Sequence, residues 1–244
     1  MYFRNLLYIL IAHQVAAATS TSAKGATPSS VKGKAAKIDK CASAALTTEF
    51  SAGFKQPHPP GIQAEFTTSF IQHKWSQKMS SISTGFIHNL PSKGLILADQ
   101  VINGMLTSSV FDYNNVTYDD NVDHTMSVFQ NASKSPVVWR GYDAVSFPIL
   151  TSQMLINGDA VFTGQVTRDF SGRGVGWMIM DQGKNPLTVY LNPCNVVIGY
   201  DYFLRDEKTR VVTEFFNTNI TAVTQAKLEI RGNEVHSGKN FNLG

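Results

Sequence analysis

The sequence is short of charge, of cysteine and of recognisable catalytic motifs, and each shortage removes a class of function. Charged residues make up 16% of the chain, below the roughly 25% of an average soluble domain, so Ser, Thr and Asn carry the polar surface. The formal net charge of +3 comes with lysines scattered along the chain. No block of Lys and Arg is dense enough to neutralise a run of phosphates, which argues against a nucleic-acid partner. There is no Gly-x-Ser-x-Gly elbow, no His-Glu-x-x-His, no paired Cys-x-x-Cys and no Walker loop. The histidines His58, His73, His88, His124 and His236 are dispersed, with none at zinc-ligand spacing. No metal site and no cofactor are therefore expected.

Long apolar runs are also missing beyond the first residues. Arg4 begins a short basic start, Leu6–Ala12 is an apolar run, and Ala16, Ala17 and Ala18 offer small residues for cleavage. His13 and Gln14 interrupt the run well before the roughly 20 residues of a membrane span. Residues 1–18 therefore read as a secretory signal peptide, and no later segment is apolar enough to cross a bilayer. Three sequons, at Asn115, Asn131 and Asn219, fit an extracellular glycoprotein. In an oxidising compartment the only two cysteines, Cys41 and Cys194, can pair within the chain or remain separate thiols, one of them linking two chains.

Residues 19–49 are small, polar and dotted with lysine, the composition of a flexible linker. From Phe50 to residue 220 short β-like runs alternate with turn residues, and residues 221–244 fade into a tail. In Gln63–Trp75, Ala64, Phe66, Phe70 and Gln72 fall on one face and Ile71 and Trp75 on the other. Asn103 and Gly104 suit a tight hairpin between Leu95–Ile102 and Met105–Tyr113. Asn114–Ser135 reads as an acidic loop around one short strand at Met126–Phe129. Its Asp119, Asp120, Asn121 and Asp123 offer oxygen ligands for calcium, without the glycine and bidentate glutamate of an EF-hand loop. Phe147–Ile156 suits either a strand or a short helix. Ser171–Gly176 reads as a glycine-rich connection; the strand beginning at Trp177 excludes the helix N-terminus that a dinucleotide loop requires.

Val196–Asn217 reads as an aromatic hairpin, with Ile198, Tyr200 and Tyr202 on one face and Phe203 on the other; Val211, Thr213 and Phe215 alternate likewise across the turn. Many short strands with little helix predict an all-β or β-rich α+β domain built on a curved antiparallel sheet or half-open barrel. Such a sheet must protect its edges. Glu65, Asp99, Asp143, Asp201 and Glu214 all lie in or near strands, which leaves room for an acid–base site that no motif marks.

FTTSFIQHKW at Phe66–Trp75, the turn around Gly85, and NLPSK at Asn89–Lys93 resemble the opening of LolA-like domains. Trp177 on a strand, Cys194 before Val196 and Val197, and a final strand ending Glu214–Asn217 resemble the end of ependymin-related proteins, over about Phe50–Val223 in all. The resemblance implies a half-open barrel whose apolar cavity takes a lipid or another hydrophobic molecule. Its candidate wall residues are Phe66, Phe70, Phe86, Tyr200, Tyr202 and Phe215, with Trp177 at a rim where its indole N–H stays wet. The expected function is a non-catalytic secreted carrier of a hydrophobic small molecule. Two other readings stand beside it: an adhesion or matrix module whose sheet is simply packed, and an extracellular hydrolase using an unpaired set of those carboxylates.

Overall fold

The computed structural model describes residues 47–220 apart from 79, 103, 131–134, 145–146 and 206–207. The chain divides at Lys40 into two units, and everything described lies in the second, Cys41–Gly244. Period-2 alternation dominates this unit, and it folds accordingly. A small ribbon, β1 (Thr47–Glu49) with β2 (Lys55–Pro57), precedes a meander of β3 (Phe66–Trp75), β4 (Ser80–Leu90), β5 (Leu95–Ile102), β6 (Met105–Val116), β7 (Val122–Phe129) and β8 (Val137–Asp143). A crossover containing a single helical turn, α1 (Met154–Asn157), leads to a second meander: β9 (Val161–Arg168), β10 (Gly172–Asp181), β11 (Asn185–Leu191), β12 (Val197–Leu204) and β13 (Thr209–Asn219). Thr47–Glu49, at the end of the stretch read as linker, is thus a strand.

β13 pairs with β3, which joins the meanders into one 11-stranded antiparallel sheet of order β8-β7-β6-β5-β4-β3-β13-β12-β11-β10-β9. The sheet is curved but not closed, since β8 and β9 are its two edges. The curvature follows from one contact. In a flat sheet β6 and β11 would lie about 29 Å apart, six spacings of about 4.8 Å. Yet Lys184, in the β10–β11 turn, pairs with Asp120, in the β6–β7 loop.

The core fills the concave side. Phe66, Phe70, Tyr200, Val211 and Phe215 are each buried to 1% exposure or less, and Phe147, Leu150 and Leu155 of the crossover descend onto them. The Phe70 and Phe147 rings meet edge-on at 5.3 Å, and the Tyr200 and Phe215 rings at 5.7 Å. Asn89 pins this plug in place. Its Nδ2 donates to the Ala64 and Leu150 carbonyls at 2.6 and 2.7 Å, and its Oδ1 accepts from Leu150 N at 3.2 Å. Deeper in the sheet, Gln72 Nε2 donates to Tyr200 Oη and Thr213 Oγ1 at 3.2 and 3.0 Å, so buried polar groups on three neighbouring strands satisfy one another.

Three local expectations need correction. The acidic stretch is not a long loop: β6 runs to Val116 and β7 starts at Val122, because Thr117 and Asn121 close a tight turn in which Asp120 takes φ 64°. Phe147–Ile156 is mostly irregular, with only α1 helical. Ser171–Gly176 is strand from Gly172 onward. Glycine occurs at 174 because a Cβ there would stand 2.5 Å from the Leu191 carbonyl oxygen, a packing demand that sequence alone presents as a flexible loop.

Candidate functional site

A cleft of about 790 Å³ opens at the β9–β11 end of the concave face, inside the range of roughly 300–1,000 Å³ usual for small-molecule sites. Three segments build it, the first about a hundred positions before the other two. The strap Pro57–Pro60 forms one lip, the inner faces of β9 and β10 form the wall, and the β11–β12 turn with Pro193 forms the other lip. Gln56 fastens the strap: its Nε2 donates to the Ala160 carbonyl at 3.3 Å and its Oε1 accepts from Phe162 N at 2.8 Å. Gln63 N donates to the Asn195 carbonyl at 3.0 Å, which ties the strap's continuation to the second lip.

The wall carries a gradient that the antiparallel register sets. Trp177 faces Phe162, Val175 faces Gln165, and Arg173 faces Thr167. Alternation places all three β10 residues on one face. The floor is therefore aromatic, with the Phe162 and Trp177 rings edge-on at 5.2 Å, and the outer end is polar and cationic. Trp177 is 2% exposed and its indole N–H makes no hydrogen bond among the described residues. It is therefore a buried donor rather than a wetted rim. An unmet buried donor costs about 1–3 kcal/mol, which a ligand acceptor or an ordered water recovers.

No Asp or Glu lines this cleft, while Arg173 and His58 do. Arg173 forms no ion pair among the described residues. A smaller pocket of about 240 Å³ at the opposite end has the reverse character, with Asp119, Asp120 and Asp181 beside Lys184, Arg205 and Tyr202. Burial raises the Asp181 carboxyl above its ordinary range, against the hydrogen bond it accepts from Tyr202 Oη at 3.1 Å. The native state then holds its proton more tightly than the unfolded chain, so this group's stabilising contribution is full below about pH 4 and is lost as pH rises through the native pKa. Asp181→Asn, which keeps an acceptor for Tyr202, is expected to raise Tm at neutral pH. That gain should close as pH falls below about 4, and thermal melts across pH check it.

Of the residues expected to line a cavity, Trp177 alone lies in this cleft. Phe66, Phe70, Tyr200 and Phe215 are packed in the core, and Tyr202 lines the smaller pocket. Phe86 stands 56% exposed on the convex face, opposite Ser69 and Asp99. The sequence reading missed Phe162, Gln165, Thr167 and Arg173. The alternation of Arg173, Val175 and Trp177 was the available signal, hidden by the intervening glycines.

Among the carboxylates, Glu65 accepts from Ser92 N, Asp143 lies 3.6 Å from His124 Nδ1, and Asp201 and Glu214 both hold Arg168. Among the described residues no three His, Cys, Asp or Glu converge as metal ligands. Asp120 instead pairs with Lys184, and Asp123 with Arg140. Cys194, in the β11–β12 turn, is not a free thiol; Cys41 lies outside the described residues. So does Asn131. Asn115 Nδ2 already donates to Asp123 Oδ2 at 2.9 Å, whereas Asn219 is exposed and makes no side-chain hydrogen bond among the described residues.

No family model and no curated protein matches the sequence. Solved structures to which the chain is similar include an uncharacterized conserved protein from Thermus thermophilus, at 12% identity over 68% of this chain and 84% of that one, TM-score 0.35. MucB is similar at 11% identity over 70% of this chain and 58% of its own length, TM-score 0.37. A domain described as outer membrane lipoprotein-sorting, from Vibrio parahaemolyticus, is similar at 7% identity over 69% and 90%, TM-score 0.32. At these identities and TM-scores the likenesses say nothing of function. Among the described residues no helix is long and apolar enough to cross a membrane.

Proposed function

We propose that this chain is a secreted, glycosylated, non-catalytic protein that binds a hydrophobic small molecule, a lipid or fatty acid, in the cleft between the Pro57–Pro60 strap and β9–β11. The observation that carries the reading is the cleft itself: about 790 Å³, floored by Phe162 and Trp177, with an indole N–H that no protein group among the described residues satisfies. Affinity comes from apolar area removed from water, about 25 cal/mol per Å². Residues 1–18 serve as the leader and 19–46 as the linker. This reading pairs Cys41 with Cys194, which sits in the β11–β12 turn. Asn219, with its amide nitrogen uncommitted, is the sequon best placed to carry glycan.

One observation favours a second reading, an adhesion or matrix module: the centre of the concave face is filled by Phe147, Leu150 and Leu155 of the chain itself. Native mass spectrometry of the secreted, deglycosylated protein separates the two. A stoichiometric small molecule, released by organic solvent and absent from Trp177→Ala protein, is the expected result. A bare mass unchanged after incubation with a lipid mixture overturns the carrier and leaves the packed module.

A further inference from the structure

Resting on that reading, we infer that the ligand is a single-chain amphiphile with an anionic head, its head at Arg173 and Thr167 and its tail against Phe162 and Trp177. The cleft wall is graded along one axis, from an aromatic pair at Phe162 and Trp177, through Gln165 and Val175, to Thr167 and Arg173. Trp177 and Arg173 are four residues apart on one strand, which at about 3.3 Å per residue places their backbones about 13 Å apart. A neutral sterol or an acylglycerol gains no charge–charge attraction from a cation at the open end; a chain ending in a carboxylate does.

Three features make the charge selective. No carboxylate lines the cleft, so nothing repels an incoming anion. Arg173 is exposed and makes no ion pair among the described residues, so a ligand head displaces only water from it. Asp119, Asp120 and Asp181 line instead the small pocket at the far end. A guanidinium presents a planar fork that matches a carboxylate bidentately, and the Thr167 hydroxyl opposite it can donate to the same head. The cation stands in solvent, so its attraction for the head is screened, and the charge preference shrinks as salt shortens the Debye length from about 30 Å at 0.01 M to about 8 Å at 0.15 M.

Isothermal titration of laurate and of dodecanol, the same chain with and without the charge, into the full secreted protein and its Arg173→Gln variant tests the inference. Laurate is expected to bind wild type about tenfold more tightly than dodecanol, a ratio equal to about 1.4 kcal/mol, with the preference reduced at high salt. Arg173→Gln is expected to erase the preference by weakening laurate far more than dodecanol. Circular dichroism confirms that the variant, altered at an exposed position, is folded. Equal binding of the two probes to wild type, or a preference that survives Arg173→Gln, overturns the anionic head while leaving a hydrophobic cleft standing. Binding of neither probe overturns both this inference and the carrier function beneath it.

Discussion

Phe70→Ala is expected to cost about 3–5 kcal/mol of folding stability, the range for deleting a fully buried ring. Phe70 is inaccessible to solvent and faces Phe215 across the β3–β13 pair that unites the two meanders. Its ring also meets Phe147 edge-on, so its loss opens a void beneath the plug. That void collapses poorly because the plug is not free to sink. Asn89 holds Leu150 by both backbone groups, and Tyr113 Oη donates to the Phe147 carbonyl. Phe86→Ala provides the contrast. Its ring is mostly exposed on the convex face, and the change is expected to stay within about 0.5 kcal/mol. Urea unfolding checks both. Equal losses at the two positions would contradict the assignment of Phe70 to a packed core, and saturating ligand should leave the difference intact because neither residue lines the cleft.

That pair of residues shows how much of the fold the sequence exposes. Phe66 and Phe70 declare their shared face by spacing alone, and the structure agrees because β3 is regular throughout. The aromatic hairpin behaves likewise, with Tyr200, Tyr202 and Phe215 inward and Phe203 outward. Its rings build the core, as the packing of Tyr200 on Phe215 shows. Phe86 needed one further fact, its register. Pairing with Ser69 rather than Phe70 sends it to the other side, and register is set by tertiary packing of two strands rather than by either strand's own alternation.

The cleft was hidden for a different reason. Its walls come from residues 57–60, 162–177 and 191–195; the first lies more than a hundred positions from the other two and is held to them by the Gln56 hydrogen bonds to Ala160 and Phe162. Curl is a cumulative property of strand twist and of close approaches at glycine. Gly174 and Gly176 marked one such approach, but in sequence they read as a loop and concealed the Arg173, Val175, Trp177 face. Chemistry carried by Pro, Gln and Thr has no motif, and it becomes visible only when the backbone brings it together.

Arg168→Met is expected to destabilise the protein by about 3–5 kcal/mol, the range for removing one partner of a buried ion pair. Arg168 is 8% exposed and its guanidinium lies 2.8 Å from Glu214 and 3.4 Å from Asp201. It also donates to the Thr213 carbonyl at 3.0 Å and stands 4.3 Å above the Tyr190 ring. Gly199, at φ 148°, leaves the room: a Cβ there would stand 3.1 Å from Arg168 Nη2 and 2.4 Å from the Thr213 carbonyl oxygen. The arginine thus fastens the end of β9 across the convex face to β12 and β13, which keeps the cleft's outer wall in place. Asp201 keeps a second cation, Arg210, at 3.1 Å, so the stranded charge in the variant is Glu214. Burial already raises the Glu214 carboxyl despite the guanidinium beside it. Without Arg168 its native pKa rises further above the unfolded value, so the loss is greatest at neutral pH and shrinks as acid protonates the group. Arg168→Met combined with Glu214→Gln should recover much of the loss, because a neutral amide carries no stranded charge. A double-mutant cycle by urea unfolding at two pH values reads this directly. A loss that is independent of pH and unrelieved by Glu214→Gln would show that Arg168 acts by packing on Tyr190 rather than through charge.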